Sequence, residues 1–149
     1  MISVQFSVRP DQGDPSGFDL GDMALTGGLG SAGSVGHTPD QGMMIHLSVT
    51  LLLDNLAELM KTGAKLLDFT GIDTSFGISF REDRAGIITV SAENRPLTKV
   101  TQGELAGAVF AAAQELAAGS VLKLPERDSA RADYFAALDG FRPLVERSA

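Results

Sequence analysis

Between Pro10 and Gly42 the chain carries nine of its 17 glycines and five aspartates (Asp11, Asp14, Asp19, Asp22, Asp40), with no lysine or arginine. A segment so rich in glycine and so poor in periodic apolar positions reads as a mobile Gly/Asp-rich loop over residues 10–42, with room for one short strand around Phe18–Leu25. Regular structure must therefore come from what lies on either side.

Before the loop, Ile2, Val4, Phe6 and Val8 alternate with Ser3, Gln5 and Ser7, the period-2 pattern of a strand with one face on a core and one in water. After it, Met43–Leu47 has an extended pattern. Val49, Leu52, Leu53, Leu56, Leu59 and Met60 then recur at helical spacing, which predicts a helix over 49–62 with Ser48 or Thr50 as its cap and Gly63 as its left-handed stop. Next comes a meander of short alternating runs: Lys65–Phe69, then Phe76/Ile78/Phe80, then Ile88/Val90/Ala92, then Leu97–Val100. Asp83–Gly86 and Asn94-Arg95-Pro96 supply its turns. Thr101 and Glu104 have the spacing of a capping box ahead of a second helix ending at Gly119, and a third helix is predicted from Asp128 to Gly140, limited by Pro143. Hairpin-length connections imply an antiparallel sheet. The expected fold is a single α+β domain over 1–149: two layers, an antiparallel sheet of five to six strands, and two to three helices on one face.

A chain of 149 residues buries roughly 70% of its unfolded surface, enough for a real core. No cysteine is present, which removes disulfides, thiolate catalysis, Fe–S clusters and cysteine zinc sites. A formal charge of −7 argues against nucleic-acid or anionic-membrane binding. No apolar run approaches the ~20 residues of a membrane span, and the N-terminal residues lack the basic start of a signal peptide. The expected compartment is the cytoplasm.

Catalytic motifs fail on context. Gly28-Leu29-Gly30-Ser31-Ala32-Gly33 matches G-x-G-x-x-G, but Ser34–Pro39 cannot open the helix that would meet a pyrophosphate. Ala32-Gly33-Ser34-Val35-Gly36 has the outline of a nucleophile elbow, without a downstream Asp and His on a large enough sheet. His37, His46 and Asp40 lack metal-ligand spacing, His46 reading as a polar strand-face residue, and the aspartates lack a calcium loop. The carboxylates of Asp68, Asp73, Glu82 and Asp83 sit at turns, where solvation opposes acid–base work. No cofactor and no metal are expected, and the residues lean away from an enzyme.

What remains is charge distribution. The loop holds −5 of the −7, and a pliant acidic strip of Asp11, Asp14, Asp19, Asp22 and Asp40 suits a protein partner with a basic surface. The order of a strand, a helix containing Thr50–Leu59, a meander and a capped helix over residues 43–118 resembles small bacterial immunity proteins that neutralise polymorphic toxins, and the preference for arginine over lysine resembles actinobacterial proteins. That resemblance implies a non-enzymatic, cytoplasmic protein-binding inhibitor that occludes a nucleic-acid-handling toxin domain. The alternative is a small-molecule-binding protein or small enzyme, its pocket between sheet and helices, with His37, His46, Phe76, Phe80, Phe110 and Tyr134 around it and loop 27–42 as lid. A homodimer through strand 2–8 is a third possibility.

Overall fold

The alternation of residues 2–8 forms β1 (Ile2–Val8) in a computed structural model that describes residues 1–84 and 86–148. Its partner is β2 (Leu20–Gly27), paired antiparallel in unbroken register from Ile2↔Gly27 to Val8↔Gly21. β3 (Gly30–Gly33) and the two-residue β4 (Met43–Met44) share the other side of β2. The short strand allowed around Phe18–Leu25 is present as β2, the centre of a sheet, and the loop expected over 27–42 is corrected at Gly30–Gly33, which forms β3.

Close packing explains the glycines there. A Cβ on Gly21 would sit 2.1 Å from the Ser7 carbonyl oxygen and 2.7 Å from Ile45 Cβ. One on Gly27 would sit 2.3 Å from Thr98 Cβ and 2.4 Å from the Leu97 carbonyl. These glycines let backbones approach, which composition alone cannot distinguish from flexibility.

α1 (Ile45–Thr62) begins four residues before the predicted start, and no side chain caps it. Backbone bonds to other elements do that work: the Ile45 N–H reaches the Asp19 carbonyl at 3.1 Å and the Met44 N–H reaches that of Ile72 at 3.1 Å. Ser48 is buried inside the helix, where its hydroxyl accepts the Ile72 N–H, and the Thr50 hydroxyl donates back to the His46 carbonyl. Gly63 stops the helix at φ 71°, as expected.

The meander forms a second antiparallel sheet in the order β5 (Leu66–Thr70), β6 (Gly77–Arg84), β7 (Ile87–Ala92), β8 (Arg95–Thr101). Ala85 of the predicted Asp83–Gly86 connection lies outside the described residues. The next turn is Glu93–Asn94, both in the left-handed region (φ 51° and 62°), the two-residue hairpin geometry whose twist suits the flanking strands; Pro96 falls inside β8. The eight strands therefore divide into two four-stranded sheets. The sheets meet where the Leu29 N–H of the β2–β3 turn donates to the Leu97 carbonyl of β8, at 2.9 Å.

The capping box of α2 (Gln102–Gly119) is complete. A stretch from Gln102 to Lys123 has the length and hydropathy of a membrane span by composition, because of its alanines. Its apolar stripe is committed to the core through Leu105, Val109, Phe110, Ala113 and Leu116. After a 3-10 turn (Val121–Lys123), α3 (Ser129–Ser148) continues through Pro143 past its predicted end, because Phe141 and Leu144 bury on that side. α1 and α2 lie on the strands, and α3 packs on the pair. One contiguous core links both sheets and all three helices, so the α+β expectation holds.

Candidate functional site

Of the five candidate aspartates, two are tied up by a residue just outside the acidic segment. Arg9 donates from Nε and Nη2 to both oxygens of Asp22 (2.9 and 2.9 Å) and from Nη1 and Nη2 to both oxygens of Asp40 (2.7 and 2.9 Å). Asp22 is buried and also accepts the Ser34 hydroxyl at 2.7 Å, while Ser34 Oγ accepts the Met23 N–H. Asp40 accepts the Gly42 N–H at 2.9 Å. The two carboxylates hold the guanidinium protonated far beyond its usual range. Arg9 in turn holds both carboxyls below theirs, helped at Asp22 by Ser34 against the opposing effect of burial, and at Asp40 by the Gly42 amide. This double fork fastens β1 to β2 and to residues 40–42.

Asp19 accepts the Ser16 N–H at 3.1 Å and is half-buried; Asp11 and Asp14 stand exposed without a cation, and Asp40 is exposed but paired with Arg9. The uniform acidic strip is therefore corrected. With Arg9 counted, the −5 becomes −5 + 1 = −4, and two of its five carriers are paired with that cation, Asp22 away from solvent and Asp40 still exposed. The same geometry disposes of two motifs: Gly28–Leu29 is a hairpin loop leading into β3, and Ser34 is a fully buried strut.

The aromatic candidates scatter. Phe80, Phe110 and Tyr134 are core: Phe110 stacks on Phe141 with ring centroids 6.3 Å apart, and the Tyr134 hydroxyl donates to the Ala113 carbonyl at 2.6 Å. His46, expected on a polar strand face, is buried in the first turn of α1. The Ser120 hydroxyl donates to the Leu116 carbonyl, so His46 Nε2–H is the donor in its 3.0 Å bond to Ser120 Oγ. Nδ1 is then an acceptor with no hydrogen-bond partner. Burial pushes the imidazole below its ordinary value, against the pull of Asp19, the nearby Ser16 backbone and Asp128, although no contact at Nδ1 has hydrogen-bond geometry.

His37 and Phe76 do meet. They line a cleft of about 420 Å³ between the two sheets, instead of between sheet and helices as expected. Its floor and walls are short side chains: Ala24 and Thr26 on β2, Ser31, Ala32 and Gly33 on β3, Ser75 and Gly77 at the start of β6, Ala92 at the end of β7. The void exists because these positions are small. Around it stand longer polar side chains, His37 and Gln41 from the segment after β3 and Glu93 and Arg95 from the β7–β8 hairpin. His37 is fixed by a 2.7 Å bond from Nε2 to the Gly33 carbonyl. Arg95 lies 3.7 Å from Glu93, a loose and exposed pair that leaves the guanidinium available.

Sequence reasoning missed Gln41 and Glu93, and it read Arg95, a turn arginine among acidic neighbours, as a local ion-pair partner and not as an anion site. The only other trace they left was a turn with Asn94 in it, and the cleft joins residues from four separate stretches of chain. Among the described residues no group of three or more His, Asp or Glu side chains is placed to hold a metal ion. No known protein family, curated protein or solved structure matches the chain.

Proposed function

We propose that this chain binds a small anionic molecule, a carboxylate with a compact apolar body, in the cleft between its two sheets. The observation that carries the reading is the cleft's construction: small residues open about 420 Å³, within the range of small-ligand sites. A polar rim closes round it. Ala24, Ala32 and Phe76 offer the apolar body a surface, Arg95 offers the anion a planar fork, and His37 and Gln41 stand at the rim to offer hydrogen bonds.

Backbone strain supports the same place. Glu93, on the rim, takes φ 51° without being glycine or asparagine, and such positions gather at ligand sites. The test is a thermal-shift and NMR screen of small carboxylates, with amines as the control set. Carboxylates are expected to move resonances of Ala32, His37 and Arg95, and Arg95→Gln is expected to weaken them roughly 10- to 100-fold. Ala32→Phe, which fills the void, is expected to abolish binding while the protein stays folded. Carboxylates that bind no better than amines, or that bind equally well to Ala32→Phe, refute the reading.

A second reading keeps one observation of its own. Phe18 is 70% exposed, in a segment that also exposes Asp11 and Asp14; an aromatic anchor among carboxylates suits a basic protein partner that is occluded without catalysis, as an immunity-type inhibitor would do. Its test is the association rate with such a partner. Replacement of Asp11 and Asp14 by Asn is expected to slow association and flatten its salt dependence, and rates that do not respond refute it.

A further inference from the structure

β1 is the outer strand of its sheet: it pairs with β2, and no strand among the described residues pairs with its other side. Soluble proteins blunt such edges with charges, proline or a bulge. β5, the edge of the second sheet, follows that rule, with Lys65 just before it and Asp68 at its centre. β1 does not. Ile2-Ser3-Val4-Gln5-Phe6-Ser7-Val8 contains no charge and no proline, and its register with β2 has no shift.

The strand's alternation of apolar and polar residues is symmetric about its centre. About Gln5 as centre, Val4 mirrors Phe6, Ser3 mirrors Ser7, and Ile2 mirrors Val8. We propose that the outer edge of β1 pairs antiparallel with β1 of a second copy of this chain, about a two-fold axis through Gln5. An isologous interface requires a surface complementary to itself, and a strand whose apolar and polar positions mirror each other about Gln5 meets that requirement.

Backbone direction permits the same register. The Arg9 N–H donates inward to the Leu20 carbonyl at 3.0 Å, and residues of an antiparallel ladder alternate in which neighbour they bond. Ser3, Gln5 and Ser7 therefore bond β2, while Ile2, Val4, Phe6 and Val8 turn their N–H and C=O groups outward. The opposite side of β2 agrees: Met23, which faces Phe6, gives its carbonyl to the Ser34 N–H on the β3 side. Centring two copies on Gln5 sets Val4 against Phe6 and Ile2 against Val8, outward-facing groups against outward-facing groups. A register shifted by one residue would break both this match and the facing of the side chains, and centring on Val4 or Phe6 would keep them but pair only residues 2–6 or 4–8 of the strand.

The side chains and the flanking helix fit as well. Ile2, Val4 and Val8 are only partly buried against the core, and a second copy would cover what they leave open. The edge is reachable: a groove of about 290 Å³ runs between Gln5–Val8 and the last turn of α2, at Glu115, Leu116 and Gly119. α2 leaves short side chains exposed in its C-terminal half, Ala111 and Ala118, although its composition is apolar enough for burial.

The test uses the full chain. Sedimentation or light scattering is expected to give twice 15.6 kDa, falling to the monomer on dilution. Ser3→Lys/Ser7→Lys places cations on the exposed face, where like charges oppose each other in the two-fold register, so this variant is expected to be monomeric. Ser3→Glu/Ser7→Glu is expected to be monomeric too, and the mixture of the two to dimerise. Gln5→Cys gives the chain a single thiol on the axis, where facing residues of a non-hydrogen-bonded pair lie about 4.5 Å apart, within disulfide reach. It is expected to cross-link fully under mild oxidation, and Ser3→Cys to cross-link poorly. A wild-type chain that stays monomeric up to roughly 0.5 mM overturns the proposal, whether or not an unrelated peptide adds to the same edge. So do lysine variants that remain dimeric, or a Gln5→Cys chain that links no faster than Ser3→Cys. Should a charged variant fail to fold, the cysteine pair decides.

Discussion

Replacing Arg9 with glutamine would remove the guanidinium and leave Asp22 almost fully buried, with the Ser34 hydroxyl as its remaining side-chain partner. An exposed ion pair is worth about 0–1 kcal/mol, whereas breaking a fully buried pair costs about 3–5 kcal/mol. Here the side chains are 30% exposed at Arg9 and 11% at Asp22, so the expected loss lies between these limits, about 2–3 kcal/mol. For a domain of this length that lowers the melting midpoint by roughly 6–12 °C. The loss should depend on pH. The Asp22 carboxyl titrates below its ordinary value chiefly because Arg9 donates to it, so its share of stability is complete above about pH 4 and fades as pH falls through the lowered value. The gap between wild type and Arg9→Gln is therefore largest at neutral pH and closes in acid. Denaturant titrations at a series of pH values, with Asp22→Asn and the double variant completing a cycle, measure it. A gap below about 0.5 kcal/mol at pH 7, or one that does not narrow in acid, would mean that the fork is solvated surface decoration and the reasoning is wrong.

His46 carries a second pH dependence. Burial lowers its folded value, so below about pH 6.5 the unfolded chain takes up a proton first and stability declines. His46→Leu is expected to flatten that decline between pH 7 and 5 in denaturation midpoints, and an unchanged slope would contradict it. Gly21→Ala should cost about 3 kcal/mol or more, because backbone stands 2.1 Å from the new Cβ. Gly28→Ala, with nothing within 4 Å, should stay within about 0.5 kcal/mol, and equal stabilities for the two variants would refute the packing argument. Tyr134→Phe removes a buried 2.6 Å hydrogen bond and should cost about 1–2 kcal/mol in chemical denaturation; no change would show that the hydroxyl is not held there.

Strand β1, the meander, the stop at Gly63 and the capping box were legible because each rests on neighbours in sequence. Alternation, turn chemistry and the Thr101–Glu104 spacing are local signals. The central strand β2 was legible only as a possible short strand around Phe18–Leu25, and its central place in a sheet was not, since Gly21 and Gly27 answer to Ile45, Leu97 and Thr98, residues that no window of sequence contains. The charge reading failed for a related reason: Arg9 lies one residue outside the acidic segment but reaches 13 and 31 positions along the chain. Of the cleft, His37 and Phe76 were visible as candidates. Arg95 was legible only as a turn arginine with an acidic neighbour, and Gln41 was not legible, because a void lined by alanine, glycine and serine shows only after the sheets are assembled.

The carboxylate of Asp128 does two jobs at once. One oxygen receives the Ala130 N–H at the start of α3, and the other receives the Gly17 N–H at 2.9 Å, from a residue 111 positions away. The beginning of the final helix is thereby stitched to the approach to the second strand, near opposite ends of the polypeptide. Fraying at that helix start must free the Gly17 amide to solvent, which makes its deuterium uptake a local gauge of whether the two ends of the chain open together or apart.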